Sequence, residues 1–211
     1  MICILPSKII KISSGSKVET YILLKNYYSY ILLLFLAGCS PTITELADSD
    51  PEAVIARKDE ILSGENIPKE TIQAVVHAYT TLGLKSLNKS DYSIAELQFN
   101  EALKINQKDK QAQYGLAMIA GHRLFKKGSK TALWDALEQF GRAAYYIPTN
   151  GEPHYWMGRA YEKKDEGDFE LIIETYQKAL AGNLPIDLKT ATKNRLTKAI
   201  KNQNTNKNFW K

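Results

Sequence analysis

Thiols, imidazoles and clustered charges are the side chains here that could do chemistry, and their placement excludes most of it. The histidines His77, His122 and His154 stand singly, and no Gly-rich phosphate loop occurs. His122, alone on a helical stretch, reads as a groove or packing residue rather than a ligand or base. Asp165, Glu166, Asp168 and Glu170 lack the alternating Asp/Asn spacing and distant Glu of a calcium loop, so they read as a solvated turn with a helix N-cap. No catalytic residue, metal site or cofactor is expected. A basic run, Lys189, Lys193, Arg195, Lys198, Lys201, Lys207 and Lys211, follows Asp187 without an acid. It reads as a capping helix with its lysines outward, contact with anionic headgroups being the alternative. Of the two cysteines, Cys39 is the more telling because it closes Leu36-Ala37-Gly38-Cys39 at the end of an apolar run.

That run, Tyr27 to Ala37, is eleven residues long and uncharged, and Lys8, Lys11, Lys17 and Lys25 precede it. Crossing a hydrocarbon core takes about 20 residues, so the run has the length of a processed signal and not of a membrane span. The tetrapeptide resembles a bacterial lipobox. The resemblance implies that small residues before the cysteine admit the signal peptidase, that the Cys39 thiol is acylated, and that cleavage leaves Cys39 as the lipidated N-terminus. Two or three acyl chains then make attachment nearly permanent, where one would hold only marginally. Ser at position 40, rather than Asp, is associated in such lipoproteins with the outer membrane, facing the periplasm.

Cys3 would leave with the signal and Cys39 would be a thioether, which excludes redox chemistry from the mature chain. Residues 1–38 hold four lysines and one acid, so their removal lowers the net charge from +5 to +2. A near-neutral protein offers no strongly basic face, and nucleic acid is not expected as a partner. What remains is one domain's worth of chain with an ordinary apolar share.

Self-similarity sets the expected fold. Leu82-Gly83, Asp91-Tyr92, Ala95, Phe99, Ala102-Leu103 and Ile105-Asn106 form one copy of a pattern. Leu116-Ala117, Ala136, Phe140, Ala143 and Pro148 form a second, and Met157-Gly158, Tyr161, Asp168-Phe169, Tyr176, Ala179-Leu180 and Pro185 a third. The pattern resembles the tetratricopeptide repeat. Ala102, Ala143 and Ala179 lie 41 and 36 residues apart, against a family period of about 34, so insertions are expected in the turns at Leu124–Ser129 and Lys163–Gly167. Small residues let antiparallel helices approach closely while the rings fill the gaps beside them. The resemblance implies an all-α, right-handed solenoid of antiparallel helix pairs with N- and C-terminal capping helices. The expected organisation is a signal peptide over 1–38, a lipidated tether over 39–50, capping helices over 51–75, three repeats over 76–185, a capping helix over 186–202 and a flexible tail over 203–211.

Carried onto this register, the family's groove positions fall on His77, Thr80, Leu84, Leu87 and Asn88, on Gln111, Tyr114, Met118, Gly121 and His122, and on Glu152, Tyr155, Arg159, Glu162 and Lys163. Such a mixture suits an extended peptide or a partner helix. It lacks the Lys/Asn/Arg set of a carboxylate clamp. The resemblance implies a non-enzymatic scaffold that binds an envelope protein in its groove and reaches the membrane through lipid, with no small-molecule substrate. Lipoproteins of this layout resemble pilus, secretion and outer-membrane assembly factors. The alternative is an envelope module for glycan or lipid, such as a peptidoglycan-associated adaptor, using Tyr114, Tyr145, Tyr146, Tyr155 and Trp156. Replacing Cys39 by Ser should abolish incorporation of radiolabelled palmitate, and retained label would contradict the lipobox reading.

Overall fold

Helix limits follow from end chemistry. A computed structural model of the chain describes residues 41–164 and 167–209. The signal peptide and Cys39 lie outside the described residues, as do Asp165 and Glu166. Thr42–Lys211 cluster as one compact unit. Its helices are α1 (Ile43–Ser49), α2 (Pro51–Ala56), α3 (Lys58–Ile61), α4 (Lys69–Asn88), α5 (Tyr92–Ile105), α6 (Lys110–Lys127), α7 (Lys130–Tyr146), α8 (Glu152–Lys164), α9 (Phe169–Ala181) and α10 (Ile186–Phe209). Thr42 and Glu45 form a capping box on α1, and Asp50, Asp109 and Ser129 each accept a backbone N–H at the start of a helix. Gly128, at φ 71°, takes the left-handed cap that ends α6. Asp91 and Asp168 hold N-cap positions without a side-chain capping bond.

The described residues contain no strand beyond a single bridge between Asn150 and Asn183. The class is therefore all-α, as expected. Helices α4/α5, α6/α7 and α8/α9 pack as hairpins, each pair packs on the next, and α10 closes the last pair. Short connections make these pairs antiparallel.

Rings on the second helix of each pair meet glycines on the first. A Cβ on Gly83 would lie 2.6 Å from the Phe99 ring, and one on Gly115 would lie 2.2 Å from it, so Phe99 is clamped between α4 and α6. Phe140 closes on Gly121 and Tyr176 on Gly158 in the same way, at 2.5 and 2.6 Å. All three rings are fully buried, with Ala95, Ala102, Ala136, Ala143 and Ala179 beside them.

Several boundaries differ from expectation. The stretch read as a tether folds as α1, whose Ala47 is buried, because its own capping box and an apolar stripe through Ile43, Leu46 and Ala47 let it pack on α4. The expected N-terminal capping helices over 51–75 are α2 and α3, with Arg57 between them, and the beginning of α4. The second repeat's extra residues lengthen α6 and leave a turn of only Gly128 and Ser129. The polar tail continues α10 to Phe209, since Gln203–Asn208 contain no Gly or Pro to end it.

Gly115→Ala gains about 1 kcal/mol of helix propensity but should lose more, about 1–3 kcal/mol, to overpacking against Phe99. Gly141, where an added Cβ meets nothing within 4 Å, is the control. Gly141→Ala should raise the urea midpoint and Gly115→Ala lower it.

Candidate functional site

Three first-of-pair helices and two loops build a concavity. It has a volume of about 430 Å³ and is lined by Leu84, Leu87 and Asn88 of α4, Gln111 and Tyr114 of α6, Glu152 at the start of α8, and the loop residues Ile147, Thr149, Asn150, Asn183, Leu184 and Pro185. The loops are stitched to each other. The Gly151 N–H donates to the Asn183 carbonyl at 2.9 Å, and the Asn183 N–H donates to the Thr149 carbonyl at 2.8 Å. Gly151 and Gly182 permit this approach, because a Cβ on Gly151 would sit 2.2 Å from the Ala179 carbonyl oxygen and one on Gly182 would sit 2.7 Å from the Gly151 nitrogen.

Polar groups in the pocket are linked. Asn150 Nδ2 donates to the Tyr114 hydroxyl at 2.9 Å, that hydroxyl reaches Glu152 Oε2 at 3.5 Å, and Trp156 Nε1 donates to Glu152 Oε1 at 3.3 Å. Asn150 Oδ1 accepts from the Glu152 N–H at 2.9 Å. Desolvation raises the Glu152 carboxyl above the ordinary carboxylate range, against the opposing pull of those two donors. Desolvation also pushes the Tyr114 phenol upward.

The sequence-derived residues separate into groups. Leu84, Leu87, Asn88, Gln111, Tyr114 and Glu152 come together in this pocket. His77 instead meets Asp48 of α1 through Nε2 at 2.8 Å. Thr80 and Met118 are buried, at 3% and 0% exposure, so neither side chain is open to a partner. Tyr155 is buried and accepts from Arg159 Nη1 at 3.2 Å, while Glu162 accepts from Arg195 of α10 at 2.7 Å, so this trio is engaged with the C-terminal helix. His122 stacks on Tyr92 at 5.7 Å and meets Trp156 and Phe140 edge-on at 4.6 and 5.4 Å. Of the five aromatics offered for glycan, Tyr114 and Tyr155 are buried, and Tyr145 alone is strongly exposed, at 80%. They form no open stacking platform.

Sequence reasoning missed Asn150, Asn183 and the loop stitch. The local signals were Thr149-Asn150-Gly151 and Gly182-Asn183, two Asn/Gly turns following a helix.

No protein-family profile matches the chain. Over 103 residues it is 31% identical to Superkiller protein 3 of Schizosaccharomyces pombe, an alignment that covers 49% of this chain and 7% of that protein. Two solved structures of MamA are similar. One is residues 41 to the end of MamA from Desulfovibrio magneticus RS-1, with a TM-score of 0.38 and 18% identity over 78% of this chain and 97% of that one. The other is the MamA RS-1 ArsTM double mutant, with a TM-score of 0.38 and 17% identity over 79% and 97%.

Among the described residues no group of three or more His, Cys, Asp or Glu is placed to hold a metal ion, and no helix is long and apolar enough to cross a membrane. Packed among Tyr92, Phe140 and Trp156, the half-buried His122 has its pKa lowered to about 4 by desolvation. The folded state thus prefers the neutral ring, whose stabilisation is full above the unfolded pKa of about 6.5 and is lost as pH falls toward 4. Glu152, raised, acts with the opposite sign, and His154, lowered, adds to the loss. Urea melts should show the advantage of wild type over His122→Phe shrinking by up to about 3 kcal/mol between pH 7.5 and 4.5. A difference independent of pH would contradict the neutral ring.

Proposed function

We infer that this protein works by holding another protein, not by reacting, and that the pocket between α4, α6 and α8 grips an extended segment or helix of that partner. The observation that supports this most is the pocket itself. Apolar walls from Leu84, Leu87, Ile147, Leu184 and Pro185 alternate with the amides of Asn88, Gln111, Asn150 and Asn183. That mixture binds side chains and backbone alike.

The finer reading places it in a bacterial envelope. Cys39 carries the lipid, the outer membrane is the site, and the partner is an envelope protein, with pilus, secretion-system or outer-membrane assembly as the process. Only Ser40 and Pro41 separate Cys39 from Thr42, the residue that caps α1.

A photo-crosslinking residue placed at Asn88 or Gln111 should trap one defined envelope protein in cells, and the same residue at Leu97, on α5 outside the pocket, should not. Adding Leu84→Glu should cut the yield at least tenfold while the helical circular-dichroism signal at the growth temperature stays that of the folded chain. Equal trapping from Leu97, or a yield unaffected by Leu84→Glu, would overturn the reading.

A further inference from the structure

Charge accounting around the half-buried glutamates singles out one of them. Glu96, Glu101, Glu152 and Glu162 are the described glutamates of intermediate exposure. Glu96 pairs with Arg123 at 2.8 Å, Glu101 with Lys58 at 3.4 Å and also with Lys104, and Glu162 with Arg195 at 2.7 Å. Glu152 has no ion-pair partner among the described residues. Its two oxygens meet only the neutral donors Tyr114 and Trp156, at the long distances of 3.5 and 3.3 Å. A carboxylate drawn out of water usually has a cation or short, strong donors to offset its desolvation. The pocket that contains Glu152 has no lysine, arginine or histidine in its lining.

We propose that the pocket receives an arginine or lysine side chain of the partner segment, with Glu152 pairing its charged head. The rest of the lining suits that occupant. Leu84, Leu87 and Leu184 offer aliphatic surface for the methylene stem, and the side-chain amides of Asn88, Gln111 and Asn183 offer carbonyl acceptors to a donor-only head group. The position of Glu152 in the first turn of α8 favours its ionised form through the helix dipole. Desolvation, which raises its carboxyl, is the penalty that an incoming cation relieves. The order of charges is the reverse of a carboxylate clamp: the chain supplies the anion and the partner supplies the cation.

This inference rests on the pocket being the binding surface, and its test separates the two claims. The probes are capped nine-residue peptides of Ala, Ser and Leu, identical except for a central arginine, lysine, norleucine or glutamate, titrated into the 15N-labelled full-length chain in detergent micelles. Arginine and lysine peptides should shift the side-chain amides of Asn88, Gln111, Asn150 and Asn183 saturably, at least tenfold more tightly than the norleucine peptide, and the glutamate peptide should bind weakest. Glu152→Gln keeps the size of the side chain and should erase the preference for a basic centre. Asn88→Lys, at an exposed rim position, should do the same without altering the interior, so the test survives if Glu152→Gln does not fold. Equal binding of arginine and norleucine peptides at those amides would overturn the charge pairing and leave the pocket as the binding surface. No shift at those amides with any peptide at millimolar concentration would overturn both.

Discussion

Ring against glycine is the contact on which the array depends. Phe99 lies fully buried between Gly83 of α4 and Gly115 of α6, so a single side chain sets both the spacing inside the first hairpin and the spacing to the second. Phe140 on Gly121 and Tyr176 on Gly158 repeat the intra-pair contact one and two hairpins along. Because a methyl group at any of these glycines would occupy the ring's own volume, the distance between helices is fixed by covalent geometry and not by an average over adaptable contacts. The close approach has a helix-propensity cost of about 1 kcal/mol for each glycine, which the burial of a whole ring offsets.

The pocket is a consequence of that spacing. With α4, α6 and α8 held in sequence, the loops that follow α7 and α9 fall side by side, and two backbone hydrogen bonds between Thr149–Gly151 and Asn183 lock them. Asn150 then points its amide at the Tyr114 hydroxyl and its carbonyl at the Glu152 N–H, so one loop residue orients a ring from α6 and the first turn of α8 together. Tyr114 is buried at 2% exposure and acts as the strut of this network.

Much of this was legible from the chain alone, and the failures share a cause. Ala95, Phe99 and Ala102 stand at helical spacing, and the recurrence of that pattern at Ala136, Phe140 and Ala143 and at Tyr176 and Ala179 carries the resemblance from which the helix pairs were expected. Which residues line an open surface could not be read in the same way. The repeat register gives the direction in which Thr80 and Met118 point, but not whether a neighbouring helix fills the space in front of them. Both are buried, and His77 is met by Asp48 of α1, a helix in the segment read as a tether. The polar composition of Ser40–Asp50 concealed α1, because its stability comes from a capping box and from contact with α4 and not from hydrophobic periodicity of any length. The same holds for the C-terminal end of α10, where polar residues continue a helix already nucleated by packing.

Coverage of the face by α1 and α10 also explains why the pocket is local. Towards the N-terminus α1 and α2 occupy one flank of α4, with His77 held by Asp48 and Lys85 held by Glu52 at 3.1 Å. Towards the C-terminus α10 takes up the polar edge of α8 through Arg195 and Glu162. Each flank thus engages some of its own polar groups, and the lining of the pocket between them, where Leu84, Tyr114 and Glu152 meet, holds an acid and no base. A helical array with capped ends and an uncompensated carboxylate between them has its chemical specificity concentrated at one place. On the binding proposed for this pocket, the sign of the charge a partner brings would distinguish it, and the apolar walls would supply the affinity common to all partners.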